Sequence, residues 1–397
     1  MLLNRERATR IMKEKGIDIL VATLAENVFY LSDLQDINHR LFSTNNVFAV
    51  LPQEGPAGAA LVVPQGDVDT LVEFPTWIER IIPYGFFFIA PPDGAPATPD
   101  DAFVKELAVD TPAEGSPVDA LRKALAPLEP DGKTVGVDER GLTRELWETV
   151  VQALPRCRVV PAYATLREIR MAKTPEEIVR LRRAHDIAEL GLRSTIRLIK
   201  EGVSEKDLAD EFEHVLIRNG ARHTFTLISF GEKGGRPNLL PSPHKKLATG
   251  DLIRWDVGCV FEGYYSDIGR TYVFGEPSAK QVTYHQACRV SMEEAIAHVR
   301  PGAVPDEIFH KAVAVAQKSG IPHFKRSHVG HGIGAELYDP PVFRPGVKIP
   351  LEENMIIDIE TPYYEIGFGA IIVEDTMRIT RTGVEIFTES DRGLVRF

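Results

Sequence analysis

Four acidic residues in the second half of the chain lie in two segments of the same design. In "GDLIRWDVGCVFEGYYSDIGRTYVF" an apolar run contains Asp256, a turn with glycine and tyrosine follows, and the return run carries Asp267. "ENMIIDIETPYYEIGFGAIIVEDTMRI" repeats this order with Glu360 and Glu374. An unpaired carboxylate inside a buried strand has a heavy desolvation cost. The pattern predicts one hairpin motif used twice, whose acids need a positive partner.

A histidine between the two segments adds a nitrogen ligand. His331 lies in "GHGIG", where flanking glycines without Cβ atoms let the backbone approach a site closely. Four carboxylates and one imidazole suit one or two divalent ions such as Mn, Fe, Co or Zn, whereas calcium prefers oxygen ligands alone. Taken singly, each residue has a structural alternative. An acid can pair with Arg254 or Arg270, and a histidine can form hydrogen bonds within a local turn. The combination favours a metal site.

Composition limits the partners. The 397 residues carry a formal net charge of -11, which leaves no basic surplus for nucleic acid and favours small molecules or short peptides. Three scattered cysteines predict a reducing, cytoplasmic location. No secretory signal or membrane span is expected: the longest apolar run, "IIPYGFFFIAPP", contains Pro83 and is shorter than the ~18 residues of a membrane helix. We interpret that run as a buried strand.

The remaining elements predict two domains. Residues 1–160 alternate helical and strand-like segments, which is typical of an α/β layer with a buried sheet. Long amphipathic helices begin near residue 172, the first with Thr174, Pro175 and Glu177 in a capping box. Residues 161–397 are therefore predicted to form a second, α+β domain that carries the repeated hairpin.

These motifs resemble the pita-bread metallohydrolases, the superfamily of creatinase, prolidase, aminopeptidase P and methionine aminopeptidase. The resemblance covers nearly the whole chain and is most specific in "GDLIRWDVGCVFEGYYSDIGRT", "GHGIG" and "IVEDT". It is nearest to the Xaa-Pro peptidase-like members. It implies an α/β creatinase-like N-terminal domain and an α+β pita-bread catalytic domain with a pseudo-two-fold hairpin repeat.

The resemblance also implies a dinuclear metal site. Asp256, Asp267, His331, Glu360 and Glu374 match all five ligand positions of the family. Asp267 and Glu374 would bridge two divalent ions, with Mn preferred over Co, Zn or Fe, and Asp256 would bind one ion in bidentate fashion. A metal-bridging hydroxide would then attack an amide carbonyl, with Glu360 accepting the proton of the water.

Three positions depart from the peptidase pattern. Tyr338 replaces a substrate-facing histidine; its hydroxyl can still donate a hydrogen bond, or its ring can simply pack beneath the prolines that follow. Leu239 falls where a second histidine usually lies, so His244 is a candidate to take over if the loop is rearranged. Ile372 replaces an arginine that helps prolidase-like enzymes clamp a carboxylate.

His328 lies one residue from a position where aminopeptidase P has a histidine. It is a candidate for lining the pocket or for a hydrogen bond to a metal ligand.

The leading prediction is a dinuclear metal-dependent amide hydrolase, an Xaa-Pro aminopeptidase or dipeptidase. The alternatives are a non-peptidase of the same fold that cleaves a small amide or amidine, as ectoine hydrolase and creatinase do, or a lyase like the dimethylsulfoniopropionate-cleaving enzyme. An inactive binding protein is a third hypothesis. Family resemblance further implies a homodimer.

Overall fold

The computed structural model describes residues 1–42 and 45–397, which form two compact units, Met1–Arg170 and Met171–Phe397. Helix Tyr163–Arg170 belongs to the first unit, whereas the sequence boundary at 160/161 assigned it to the second. The functional domain limits themselves stay a prediction.

The first unit is built on a six-stranded mixed sheet whose strands follow the order β4-β3-β2-β1-β5-β6. Its strands are β1 (Ile19–Ala22), β2 (Phe48–Pro52), β3 (Ala60–Pro64), β4 (Ile81–Tyr84), β5 (Thr134–Val137) and β6 (Arg158–Pro161). Its helices are α1 (Arg5–Lys15), α2 (Ala25–Ser32), α3 (Ile37–Leu41), α4 (Thr70–Glu73), α5 (Pro99–Lys105), α6 (Pro117–Leu125), α7 (Arg144–Ala153) and α8 (Tyr163–Arg170). Buried aliphatic residues of the strands pack on α6 and α7. The predicted α/β layer is confirmed.

The apolar run "IIPYGFFFIAPP" is only partly a strand, so its interpretation as one buried strand was wrong. Ile81–Tyr84 pairs in the sheet, but Gly85 adopts a left-handed φ of 79° and turns the chain away. Phe86, Phe87 and Phe88 are exposed. No helix in the described ranges is both long and apolar enough to cross a membrane.

The second unit contains two larger sheets and a short hairpin. The first sheet consists of β7 (Arg222–Phe230), β8 (Leu252–Phe261), β9 (Tyr264–Tyr265) and β10 (Ile268–Val273). The second consists of β11 (Gly330–Gly332), β12 (Asp339–Val342), β13 (Ile356–Glu360), β16 (Glu374–Thr380) and β17 (Gly383–Ile386). The hairpin pairs β14 (Tyr363–Glu365) with β15 (Gly369–Ile371).

A pair of helices backs each sheet of the second unit. These helices are α9 (Pro175–Ile196), α10 (Glu205–Arg218), α11 (Ala279–Ala297) and α12 (Pro305–Lys318). Apolar faces of α9 and α10 pack on β7, β8 and β10, and those of α11 and α12 pack on β13 and β16. Thr174 forms the predicted capping box with Glu177 at the start of α9.

The repeated hairpin predicted from the sequence is present. β8 pairs with β10 and β13 pairs with β16, both antiparallel. Asp256 lies within β8 and Asp267 immediately before β10, while Glu360 ends β13 and Glu374 begins β16. Several hydrogen bonds join the hairpins. Thr271 Oγ1 donates to the Ile372 carbonyl and accepts the Ile372 N–H, and Thr376 Oγ1 donates to the Asp267 carbonyl. This junction places all four acids near one another.

Candidate active site

Glycine makes room for Glu374 beside the first hairpin. Gly269 is the register partner of Asp256 on β10. A Cβ atom at Gly269 would lie 2.9 Å from Glu374 Oε2 and 2.5 Å from the side chain of Ile372. Only a residue without a side chain lets the two hairpins approach this closely.

His331 lies on an interior strand of its sheet. β11 lies between β12 and β13, and Gly330 has a φ of 145° with no space for a Cβ, which would lie 2.2 Å from the Asp358 carbonyl. The Nδ1 of His331 lies 3.0 Å from the carbonyl oxygen of Gly332. Because a carbonyl only accepts, Nδ1 carries the proton and Nε2 presents its lone pair. Nε2 lies 3.7 Å from Asp267 Oδ2.

Asp267, His331 and Glu374 form a buried triad of ligand atoms. One ligand atom from each lies within 4.8 Å of the others. Burial and the neighbouring acids, first among them Asp256 for Asp267 and Asp267 for Glu374, raise both carboxyl pKa values well above their ordinary range. Asp267 Oδ1 and His331 Nε2 are buried without a hydrogen-bond partner. These orphaned atoms fit a bound cation, and the oxygen and nitrogen donors fit a transition-metal ion.

The other two acids have basic partners. Asp256 Oδ2 accepts a hydrogen bond from Nη2 of Arg254, so the alternative that Arg254 pairs with this acid is observed. Burial still raises the pKa of Asp256, although the guanidinium opposes it. Glu360 Oε1 lies 2.8 Å from His328 Nε2, and its Oε2 lies 3.7 Å from Arg326 Nη2.

Glu360 is ionised more readily than its neighbours. Burial alone would raise its pKa, but the hydrogen bond from His328 and the charge of Arg326 outweigh burial and leave the pKa below its ordinary value. Glu360 is therefore the acid of this group best suited to hold a negative charge.

Tyr338 lies over the imidazole of His331. The two rings stack with centroids 3.7 Å apart and planes 20° from parallel, and the tyrosine hydroxyl lies 3.3 Å from His328 Nε2. Burial and the charge of Glu360 raise the pKa of Tyr338, so its hydroxyl stays protonated. Stacking on His331 favours a role in the site over the alternative of packing beneath the prolines.

A cavity of about 290 Å³ opens beside these groups. It is lined by the four acids together with His328 and Tyr338. His244 is not among its lining residues: it is exposed, and its backbone N–H bonds to Ser242 Oγ. The geometry thus gives no support to a catalytic role for His244.

Four further residues at the site were not assigned to it from the sequence. Arg254, Arg326 and Tyr364 line the cavity. Asp358 is fully buried, with Oδ2 3.9 Å from His331 Nδ1. Strand alternation places Arg254 on the face of Asp256 and Asp358 on the face of Glu360, so this spacing was an available signal. Arg326 and Tyr364 had no such signal, because they reach the cavity through tertiary packing.

Arg270 bonds to the backbone of the site rather than to its carboxylates. Its guanidinium donates to the carbonyl of Glu374 and to Asp375 Oδ1, the latter at 2.7 Å. The alternative in which Arg270 neutralises the Glu374 carboxylate is therefore not observed.

Comparison with known proteins identifies both parts of the chain. Residues 179–381 match the model of metallopeptidase family M24, and residues 4–172 match that of the creatinase/prolidase N-terminal domain. The Xaa-Pro dipeptidase of Lactobacillus helveticus is 31% identical over 232 residues, 58% of this chain and 63% of that protein. The Xaa-Pro dipeptidase of Pyrococcus furiosus is 30% identical, over 58% of this chain and 66% of that protein.

The overall structure is also similar to solved ones. An Xaa-Pro dipeptidase from Bacillus anthracis superimposes with a TM-score of 0.81 and 22% identity, covering 99% of each chain. At this identity the likeness shows the fold, and it confirms the two-part architecture implied by the sequence motifs.

Proposed function

Since this chain belongs to metallopeptidase family M24, we propose that it hydrolyses the peptide bond of Xaa-Pro substrates with bound divalent metal ions. The observation that carries the proposal is the convergence of Asp267, His331 and Glu374, whose ligand atoms lie within 4.8 Å of one another, with Asp267 Oδ1 and His331 Nε2 unpartnered. Asp267 and Glu374 line a cavity together with Asp256 and Glu360. The relatives described as Xaa-Pro dipeptidases support the substrate class. They do not favour the small-amide, lyase or inactive-protein alternatives.

Five residues would hold the metal, namely Asp256, Asp267, His331, Glu360 and Glu374. We propose two divalent ions, because four carboxylates balance four positive charges, with Mn as the first choice. When bound, such ions lower the pKa of a water molecule toward neutrality and polarise a carbonyl oxygen.

The protein's own residues position and move the protons. Glu360 is ionised and hydrogen-bonded at Oε1, so it can accept a proton from water. His328 holds Glu360 through Nε2, and Ser327 Oγ lies 2.9 Å from its Nδ1. Tyr338, with a protonated hydroxyl at the cavity, can donate a hydrogen bond to the substrate.

Two measurements test this proposal. Metal analysis of protein purified under metal-replete conditions is expected to give about two equivalents of divalent ion, and Xaa-Pro dipeptides and tripeptides with added Mn or Co are expected to be hydrolysed. Glu353→Gln, an exposed acid outside the cavity, serves as the control. A metal-free site under those conditions, or turnover of small amides without turnover of any Xaa-Pro peptide, would overturn the assignment.

We also propose a cytoplasmic homodimer. The free thiols of Cys157, Cys259 and Cys288 support a reducing compartment, and the exposed Phe86–Phe88 segment supports association. Light scattering of the purified protein tests the second point: a monomer mass would reject the dimer.

A further inference from the structure

Tyr338 is a cavity residue whose position is not fixed by burial. It is 42% exposed, although its ring stacks on that of His331 with centroids 3.7 Å apart. It ends the connection of residues 333–338 between β11 and β12. An exposed loop side chain has fewer contacts to hold it than a buried one, so its position depends on the backbone beside it.

The next residue, Asp339, is buried and paired with a lysine. The Nζ of Lys173 lies 3.0 Å from Asp339 Oδ2, and the two side chains are 1% and 0% exposed. Asp339 begins β12 and is the register partner of Gly332, the residue that follows His331 on β11. Asp339 is thus a buried anchor directly beside Tyr338.

Glycine lets the connection close over this ion pair. A Cβ atom at Gly334 would lie 2.2 Å from Asp339 Oδ2 and 2.9 Å from Lys173 Nζ. The Gly334 carbonyl accepts the N–H of Tyr265, and the Gly334 N–H donates to the Glu336 carbonyl, both at 3.0 Å. The connection that carries Tyr338 is therefore packed directly against the ammonium group of Lys173.

Lys173 is held in turn at the start of α9. Its N–H donates to the Asn354 carbonyl at 2.9 Å, and the residue after it, Thr174, is the N-cap of α9. Burial raises the pKa of Glu177 to about 7, and the charge of Lys173 opposes this rise, so the lysine acts on two buried acids. Breaking a buried ion pair from one side leaves a charge that water cannot solvate, which is costly. The pair therefore resists movement of the connection away from α9.

We propose that Lys173 is a positioning residue, which holds Tyr338 in its stack through the buried ion pair with Asp339. The pair fixes the backbone at residue 339, and the tyrosine hydroxyl then stays at the cavity, 3.3 Å from His328 Nε2. Loss of the pair frees the connection and lets Tyr338 leave the stack. The kinetic consequence rests on the proposed function, but the position of Tyr338 is measured without turnover.

The first test follows Tyr338 by fluorine NMR. The full-length protein and its variants are labelled with 3-fluorotyrosine and studied with excess Zn²⁺, a diamagnetic ion, and Tyr338→Phe identifies the signal. In the parent protein this signal is expected to be displaced from that of free 3-fluorotyrosine by the stacked imidazole. Lys173→Met should lose most of the displacement, whereas Lys311→Met, which removes an exposed lysine of α12, should keep it. Asp339→Asn retains an oxygen that can accept from Lys173 and should lose less.

A kinetic cycle tests the same point by a second route. Lys173→Met and Tyr338→Phe should each lower kcat for an Xaa-Pro substrate by about tenfold, the value of one hydrogen bond. If Lys173 acts through Tyr338, the double variant should be no slower than the slower single variant. Independent effects would instead multiply to about a hundredfold and would show that Lys173 does not act through Tyr338.

The NMR outcomes decide the proposal even if a variant fails to fold. An undisplaced Tyr338 signal in the parent, an unchanged displacement in folded Lys173→Met, or an equal loss in Lys311→Met would each overturn it. If Lys173→Met does not fold, the double variant Lys173→Met, Asp339→Asn, which removes both charges, must lose the displacement in its place. If that variant also fails, the signal of Asp339→Asn must be less displaced than that of the parent. Absence of Xaa-Pro turnover with a displacement that depends on Lys173 would reject only the proposed reaction.

Discussion

The acids around the cavity fall into two groups that the fold supports in opposite ways. Asp256 and Glu360 each face basic side chains, Arg254 for the first and His328 with Arg326 for the second. Asp267 and Glu374 form no ion pair with any lysine or arginine of the described chain, and their pKa values are raised well above the ordinary range. The first group therefore has partial charge compensation from the protein itself, whereas the second has none from lysine or arginine among the described residues.

This difference indicates which acids depend on a bound metal ion to compensate their charge. A buried carboxylate with a guanidinium partner is already compensated, and losing that partner is costly. Buried carboxylates that face only one another repel, and a cation removes the repulsion. The two groups should therefore respond differently to the same Asp→Asn change.

The largest effect is expected from removing an acid of the uncompensated group. Asp267→Asn should lower kcat/KM for an Xaa-Pro substrate by about 10³-fold, because metal supplies several kcal/mol of transition-state stabilisation. Metal content should fall in parallel. The measurements are steady-state kinetics and elemental analysis, with Glu353→Gln as the unaffected control. Full metal content with full activity would show that Asp267 is not a ligand.

In the metal-free protein, an Asp→Asn substitution in one group should change the free energy of unfolding in the opposite direction to one in the other group. Asp256→Asn leaves the buried Arg254, 2% exposed, without its charged partner, and should lower the free energy of unfolding by about 3 kcal/mol. Asp267→Asn removes one of the repelling acids and should raise it, by about 1 kcal/mol. Urea unfolding of chelator-treated protein measures both values. Two changes of the same sign would contradict the division into groups.

A smaller effect is expected from the hydrogen bond that supports Glu360. His328→Ala removes the donor at 2.8 Å and should reduce kcat by about tenfold while leaving metal content unchanged. His328→Gln keeps a donor and should recover part of the rate. Loss of metal in His328→Ala would show instead that the histidine stabilises the metal site as a whole.

A buried acid outside the site supplies a pH-dependent effect on stability rather than on activity. Burial raises the pKa of Glu177 to about 7, although the Tyr264 hydroxyl donates to it at 3.0 Å. Because the pKa of Glu177 is higher in the folded state than in the unfolded chain, the folded protein keeps this proton to a higher pH. The contribution to stability is thus complete below the unfolded pKa of about 4.5 and is lost as pH rises through about 7.

Between these pH values, Glu177 lowers the free energy of unfolding by at most about 1.4 kcal/mol for each unit of rising pH. Glu177→Gln should flatten that part of the pH profile, measured by urea unfolding between pH 4.5 and 8. An unchanged profile would mean that the triad, rather than Glu177, dominates the pH response of the folded protein.

Much of the fold was predictable because its signals are local. The helix caps at Thr174 and Ser204 and the left-handed Gly16 that ends α1 depend on residues within one turn of each other. The repeated order of strand, turn and strand was likewise predictable, because the apolar residues of a segment themselves indicate that it forms a buried strand. The exposure of Phe86–Phe88 was not, since it depends on the turn at Gly85 and on where the sheet ends.

The sequence alone specifies the residue types that can hold a cation, and it places Asp256, Asp267, Glu360 and Glu374 on repeated strand-like segments with His331 between them. Desolvation of a carboxylate in an apolar run is a local cost, so it can be inferred from the run alone. Tertiary packing determines which acids have basic partners. It also places His244 outside the cavity and Arg326 and Tyr364 in its lining. Those outcomes depend on distances between segments far apart in the chain, and such distances are set by packing.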